Sequence, residues 1–360
     1  MRIAVVIPER CKPKSNAFEY LERWSKTCSM DCIMVEGKNI KISEFACPPC
    51  IIRAKLCPDD AVMIINLPAE LDTDMIHRFS LNGFRLFRLP TPSQERVVGI
   101  LGPNGMGKST AMSVLSGRLV PNLGEWENKE PQWGEVIETL PRGELRDFLT
   151  AVEKKTVKVA LKPQNVDRIP KRVEGTVSSL LEKVDERGLY DEMVVTLGID
   201  HLLDRTLNQL SGGELQRVAI CATLLRDVDV YFFDEPSSYL DIFERMRIVK
   251  IIQQLAEEKR VIVIEHDLAV LDVLADLTHI VYGVKGAYGI FTPARNTRKA
   301  INAYLEGYLP EENVRIRAKP IKFLRHRDRA AERGTPVVSW GGLEKKLGDF
   351  TLTSGEGAVH

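Results

Sequence analysis

A glycine-rich turn set between an apolar run and a helical run constrains this chain more than any other feature. Val97-Val98-Gly99-Ile100-Leu101 is short and wholly apolar, as a strand buried on both faces of a parallel sheet must be. It leads into Gly102-Pro103-Asn104-Gly105-Met106-Gly107-Lys108-Ser109-Thr110 and then a helical stretch that the pattern carries through Leu119. Gly102-x4-Gly107-Lys108-Ser109 is a P-loop pattern, and strand before and helix after are the context it requires. Its glycines, Gly102, Gly105 and Gly107, let backbone N–H groups turn inward around phosphate, and the helix N-terminus adds positive potential. Lys108 reaches the β- and γ-phosphates, while Ser109, next to Thr110, offers a hydroxyl to Mg²⁺. An α/β fold with an ATP-type nucleotide and Mg²⁺ as ligands is the expectation.

The rest of the chain extends this reading. Apolar runs at 157–161, 228–233 and 260–264 are strand candidates, and they alternate with helical segments at 212–225, 242–258 and 268–275. Val230-Tyr231-Phe232-Phe233-Asp234-Glu235 is a strand ending in two acids, placing Asp234 where a carboxylate holds Mg²⁺ and Glu235 where it polarises an attacking water. Leu210-Ser211-Gly212-Gly213-Glu214-Leu215-Gln216-Arg217 opens an apolar-periodic helix with a capping residue and two glycines, which is an anion-binding terminus or merely an N-cap.

Composition bounds the class. The 360 residues suit two or three domains, with 44% hydrophobic and 28% charged residues. Fifty basic residues balance fifty acidic ones, so global charge argues for neither nucleic acid nor membrane. No run approaches the roughly 18 apolar residues of a membrane span, and the start is too short in apolar residues for a signal peptide, so a cytoplasmic protein is expected. Six of the seven cysteines (Cys11, Cys28, Cys32, Cys47, Cys50, Cys57) fall before residue 58, marking a small first domain, while Cys221 reads as a buried core residue. Eight Lys or Arg against two acids occupy 315–333, as expected of a linker or docking segment.

The octapeptide from Leu210, lying between a P-loop and an Asp-Glu strand, resembles the signature motif of ABC-type ATPases. The resemblance implies further positions: Gln164 in Lys162-Pro163-Gln164 as the glutamine contacting Mg²⁺ and the attacking water; Ser237-Ser238-Tyr239-Leu240-Asp241 as the D-loop; and His266 in Glu265-His266-Asp267 as the switch histidine near the γ-phosphate. Ser211, Gly212, Gly213, Glu214 and Asp241 then belong to nucleotide binding across a domain interface, alongside Asn104 of the P-loop. An aromatic preceding the P-loop strand commonly stacks on adenine in this superfamily; Phe79, Phe84 and Phe87 are candidates, with Phe79 preferred.

Over nearly its whole length the chain resembles the ribosome-recycling ABC ATPases of archaea and eukaryotes, the RNase L inhibitor family or ABC subfamily E. The strings that carry this are Cys11-Lys12-Pro13-Lys14, Ile64-Ile65-Asn66-Leu67-Pro68, His77-Arg78-Phe79, Arg88-Leu89-Pro90, Asp234-Glu235-Pro236-Ser237, Tyr282-Gly283-Val284, Ala287-Tyr288-Gly289 and Glu306-Gly307-Tyr308-Leu309-Pro310. What the resemblance implies is a ferredoxin-like domain at 1–75, an ABC domain at 76–280 with a helix-loop-helix insertion near 133–153, a hinge and basic linker at 281–345, and at 346–360 the opening of a second ABC domain. It implies ATP-driven closure acting on the ribosomal small subunit, its rRNA and translation factors, with no membrane partner. The family's two runs of four cysteines serve two [4Fe-4S] clusters. Here Arg53 takes a ligand position, and Asn16 and Tyr20 stand at two others. Two normal clusters, one irregular cluster or metal ion held by Cys47, Cys50, Cys57 and one of Cys28 or Cys32, and loss of metal are the open expectations, with Cys11 a further candidate ligand. An ABC site joins one domain's P-loop to another's signature, so turnover is expected to need a second ABC domain, from a homodimer or a separate chain. The competing readings are the ATPase subunit of a membrane transporter and a degenerate ATP- or ribosome-binding module without turnover.

Overall fold

In a computed structural model, residues 2–7, 9–27, 32–37, 39–43, 56–66, 74–128, 130–322, 335–348 and 350–359 are described. The chain divides into two compact units, Met1–Lys319 and Pro320–His360. The first begins with strand β1 (Arg2–Val6), helix α1 (Asn16–Thr27), the antiparallel pair β2 (Ile33–Glu36) and β3 (Asn39–Ile42), and β4 (Val62–Asn66), which pairs antiparallel with β1. In α1, Ala17, Phe18, Leu21 and Trp24 recur at helical spacing and face inward, packing with Ala4, Ile33, Ile40 and Ile42.

The larger part of the unit is built on β5 (Met75–Arg78), β6 (Arg85–Phe87), β7 (Val97–Leu101), α2 (Lys108–Leu115), α3 (Trp133–Thr139), α4 (Glu144–Glu153), β8 (Val159–Lys162), α5 (Val177–Val184), α6 (Tyr190–Thr196), α7 (Gly212–Leu224), β9 (Val230–Asp234), α8 (Ile242–Ala256), β10 (Arg260–Ile264), α9 (Leu268–Leu274), β11 (Leu277–Val284), β12 (Tyr288–Phe291), β13 (Arg295–Asn296) and α10 (Thr297–Glu306). The sheet runs β5-β6-β12-β11-β7-β10-β9-β8, with β13 on β11. From β11 through β8 neighbouring strands are parallel, and the innermost, β7, β10 and β9, are buried on both faces, which is why they are built around apolar runs. A short pair, β14 (Tyr308–Leu309) with β15 (Val314–Arg315), closes the unit.

The domain boundary expected at 280 needs correction. β11 continues to Val284 and β12 lies in the same sheet, while Ala300 and Ala303 of α10 pack with Ile280 and Ile290. Of the eight basic residues at 315–333, Arg315 and Arg317 lie over the rings of Tyr308 and Tyr304. Arg325, Arg327, Arg329 and Arg333 are outside the described residues. The second unit holds two antiparallel pairs, β16 (Val338–Trp340) with β19 (Gly357–Val359) and β17 (Leu343–Leu347) with β18 (Phe350–Ser354).

Candidate functional site

Register explains why residues far apart in sequence meet. Ile264 of β10 pairs with both Ile100 of β7 and Asp234 of β9, and Lys162 of β8 pairs with Phe233. The carboxyl ends of four adjacent parallel strands are therefore level, and the segments leaving them carry Gly102–Lys108, Gln164, Asp234–Glu235 and His266. The carboxyl edge of an open α/β sheet is where such folds bind ligands.

The P-loop wraps Lys108. Its Nζ donates to Gly102 O at 2.7 Å and Asn104 Oδ1 at 3.3 Å and lies 2.8 Å from His266 Nε2. Burial lowers the Lys108 pKa to about 8. His266 is also held below its usual value, by burial first and then by Lys108, and its Nε2 lies 3.0 Å from Asn104 Oδ1 as well. Gly107 has φ 83°, and a Cβ there would stand 2.7 Å from the Phe84 ring, so both conformation and space require glycine.

Opposite Lys108, Glu235 adopts φ 50° at the sharp exit from β9. Gln164 Nε2 donates to its Oε1 at 2.7 Å, Ser238 Oγ donates to its Oε2 at 3.2 Å, and His266 Nε2 is 3.5 Å from Oε1. Asp234 is pushed up to about 6, by burial and then by the charge of Glu235. A cavity of about 590 Å³ is lined by Asn104, Gly105, Gly107, Lys108, Ser109, Thr110, Gln164 and Asp234, joined by Phe79 and Phe84. The hydroxyl of Ser109, the amide oxygen of Gln164 and the carboxylate of Asp234 make an all-oxygen donor set of the kind Mg²⁺ takes, and the crowding of Asp234 by Glu235 is what a cation would relieve.

Other expected residues are placed differently. Phe87 is fully buried, edge-on to Tyr288 in the core, so it is removed from the adenine candidates; Phe79 is 55% exposed and Phe84 packs on the P-loop. Ser211, Gly212, Gly213 and Glu214 open α7 away from this cavity. There Ser211 N and Oγ donate to Glu214 Oε2 at 2.7 and 2.8 Å, while Glu214 N donates to Ser211 Oγ at 3.4 Å, a reciprocal capping box. Asp241 caps α8, accepting from Phe243 N and Glu244 N at 2.9 and 3.0 Å. Cys11, Cys32 and Cys57 are buried with Phe18, Leu21 and Trp24, and burial, followed by the neighbouring Cys11, raises the Cys57 thiol to about 11. Among the described residues, no three His, Cys, Asp or Glu side chains converge as a metal site. Cys28, Cys47 and Cys50 lie outside the described residues. The described cysteines thus do not by themselves fit an iron–sulfur cluster.

Three buried polar residues of the site escape a reading of the sequence. Lys162 is fully buried and donates to Asp234 O at 2.8 Å and Glu235 O at 3.3 Å. Gln216, also fully buried, donates to Glu235 O and Pro236 O, both at 2.9 Å. Glu265 accepts from the backbone N–H groups of His266 and Asp267 at 2.8 and 3.2 Å. A lone lysine ending an apolar strand is the available signal for Lys162; Gln216 and Glu265 look like ordinary polar residues until the elements pack.

The family profile described as ABC transporter matches residues 91–238. ABC transporter E family member 1 of Arabidopsis thaliana is 42% identical over 99% of this chain and 60% of that protein. Translation initiation factor RLI1 of Saccharomyces cerevisiae is 39% identical, again over 99% of this chain and 60% of its own length. The chain therefore spans about three-fifths of these curated relatives. A solved structure described as a model of ribosome-bound archaeal Pelota and ABCE1 superposes with a TM-score of 0.92 at 43% identity, covering 99% of this chain and 61% of the matched one. With identity of this order along the whole chain and an ABC-type P-loop fold around the cavity, the protein is similar over its full length to the RNase L inhibitor family, subfamily E of the ABC proteins.

Proposed function

We propose that this chain binds Mg²⁺–ATP at the Lys108 cavity, hydrolyses it when a second ABC domain completes the site, and uses the resulting closure to act on the small ribosomal subunit in the cytoplasm, together with translation factors. The observation that carries the reading is the convergence of Lys108, Gln164, Asp234, Glu235 and His266 from the level ends of four parallel strands. Gly102, Asn104, Gly105, Gly107 and Thr110 cradle the phosphates, and Lys108 neutralises the β- and γ-oxygens. Glu235 takes a proton from water as its oxygen attacks the γ-phosphorus and the bond to the β-phosphate oxygen breaks. Gln164, already bonded to the Glu235 carboxylate, orients that water, and neutral His266 contacts the γ-phosphate. Ser109, Gln164 and Asp234 would hold Mg²⁺, which would supply charge neutralisation to the phosphates. Phe79 stacks on the base. Ser211, Gly212, Gly213, Glu214 and Asp241 serve the facing domain's nucleotide, which fits their position away from the Lys108 cavity. No step runs through an iron–sulfur cluster.

Support also comes from the relatives, one of which is described as ribosome-bound and another as a translation initiation factor. Sedimentation of the full chain with small ribosomal subunits tests the proposal. With ATP, Glu235→Gln is expected to stall turnover and increase the bound fraction over wild type. Absence of co-sedimentation in both would sink the ribosomal reading.

A further inference from the structure

The cavity holding the P-loop has a wall that the nucleotide-binding motifs do not supply. Val6 and Glu9, from the N-terminal αβ module, line it beside Phe79, Ser80, Gly83 and Phe84. The turn at 79–84 joins β5 to β6 and is clamped from two sides. On one side Phe84 packs against Gly107 of the P-loop. On the other, Asn82, only 5% exposed, donates through Nδ2 to Ala4 O at 2.8 Å and Ile42 O at 3.0 Å, and accepts through Oδ1 from Ile42 N at 2.7 Å. Val6 N donates to Asn82 O at 3.3 Å. Every polar atom of the Asn82 side chain is thus spent on holding β1 and β3 against this turn.

Glu9 lines the cavity together with Phe79 and Phe84, and Lys108, Ser109 and Asp234 are among its other lining residues. A carboxylate repels phosphate and can only accept hydrogen bonds, so the ligand portion it suits is one that presents N–H or O–H donors. The nucleoside part of a nucleotide offers these as ribose hydroxyls and an exocyclic amine.

We infer that the N-terminal module is the nucleoside-side wall of the nucleotide cavity, with Glu9 accepting from the nucleoside and Asn82 as the positioning residue that fixes the wall to the Phe79–Phe84 turn. This rests on the nucleotide-binding reading above and adds a discriminating residue to it. It also gives the module a task that needs no metal.

Calorimetric titration of the full chain with Mg²⁺–ATP and with Mg²⁺–tripolyphosphate tests it, because tripolyphosphate engages the P-loop and has no nucleoside. Wild type is expected to bind ATP about tenfold or more tighter than tripolyphosphate, the order of one hydrogen bond to a charged group plus base contacts. Glu9→Ala and Asn82→Ala are each expected to lower ATP affinity about tenfold and to leave tripolyphosphate within about twofold, and Glu9→Gln, which keeps an acceptor, to restore most of the loss. Inosine triphosphate and dideoxy-ATP then show whether the amine or the ribose is the donor. Glu9 is exposed, so its variants report even where Asn82→Ala does not fold. An unchanged ATP-to-tripolyphosphate ratio in Glu9→Ala overturns the inference and leaves the P-loop reading standing. Failure of wild type to bind either ligand overturns both.

Discussion

His279 is 2% exposed, and its surroundings decide its tautomer: Thr91 N donates to Nε2 at 3.2 Å, so Nδ1 carries the proton and donates to Thr292 O at 2.7 Å. A second proton would face the Thr91 N–H, and burial lowers the His279 pKa to about 4. The sign follows from linkage. Above the unfolded value of about 6.5 both states are neutral; as pH falls from there toward 4 the unfolded chain takes up a proton that the folded chain refuses, so stability is lost progressively. Urea unfolding at pH 7.5 and pH 5 is expected to differ by about 2 kcal/mol from this residue, and His279→Gln to narrow the gap. Lys162 makes the opposite case at the same scale. It is a buried cation whose donors hold the Asp234 and Glu235 carbonyls, so Lys162→Met is expected to cost about 3 kcal/mol in denaturant unfolding, because those carbonyls and the neighbouring carboxylates lose their partner. ATP turnover, followed by phosphate release in the presence of a partner ABC domain, is expected to fall on the order of tenfold, since Glu235 loses one of the bonds that fix its backbone.

At the scale of elements, the caps separate folding from function. Asp241 satisfies two orphan N–H groups of α8, and Ser211 with Glu214 does the same for α7. Ser211→Ala is expected to cost about 1 kcal/mol in denaturant unfolding. Asp241→Asn should cost almost nothing, because asparagine caps as well as aspartate, so a loss of turnover in that variant would support the role proposed for Asp241 at a facing nucleotide. The Gly107 position couples an element boundary to the site. Gly107→Ala meets both the left-handed backbone and the Phe84 ring, and ATP binding measured by fluorescence titration is expected to weaken at least tenfold, about 1.4 kcal/mol or more.

For the first unit as a whole, the N-terminal module and the large sheet share a core. Val5 of β1 is fully buried with Phe87, Ile280, Tyr282 and Ile290, and Arg88 adds an ion pair to Glu312 at 2.9 Å and another to Asp74 at 2.7 Å. Val5→Ala is expected to cost about 2 kcal/mol, and because the cavity it opens borders both layers, thermal unfolding followed by far-ultraviolet dichroism and by tryptophan fluorescence should shift together. Two separated transitions would show that the module folds alone. No described helix is long and apolar enough to cross a membrane.

The sequence by itself determined the local grammar of the site: a strand, a glycine turn at 102–107 and a helix can be read from neighbours alone, and so can the acids ending β9 and the cap opening α7. These signals are short-range, since backbone conformation and capping depend on residues a few positions apart. It also identified the elements around Gln164 and His266, whose roles were legible only by resemblance. Tertiary structure decided what depends on register and packing. It took Phe87 out of the candidate set by burying it, carried the sheet past 280 into β11 and β12, and turned Lys162, Gln216 and Asn82 from unremarked polar residues into fixed points. The physical reason is that a buried polar group is defined by its partner, and those partners lie 19 to 78 positions away in the chain.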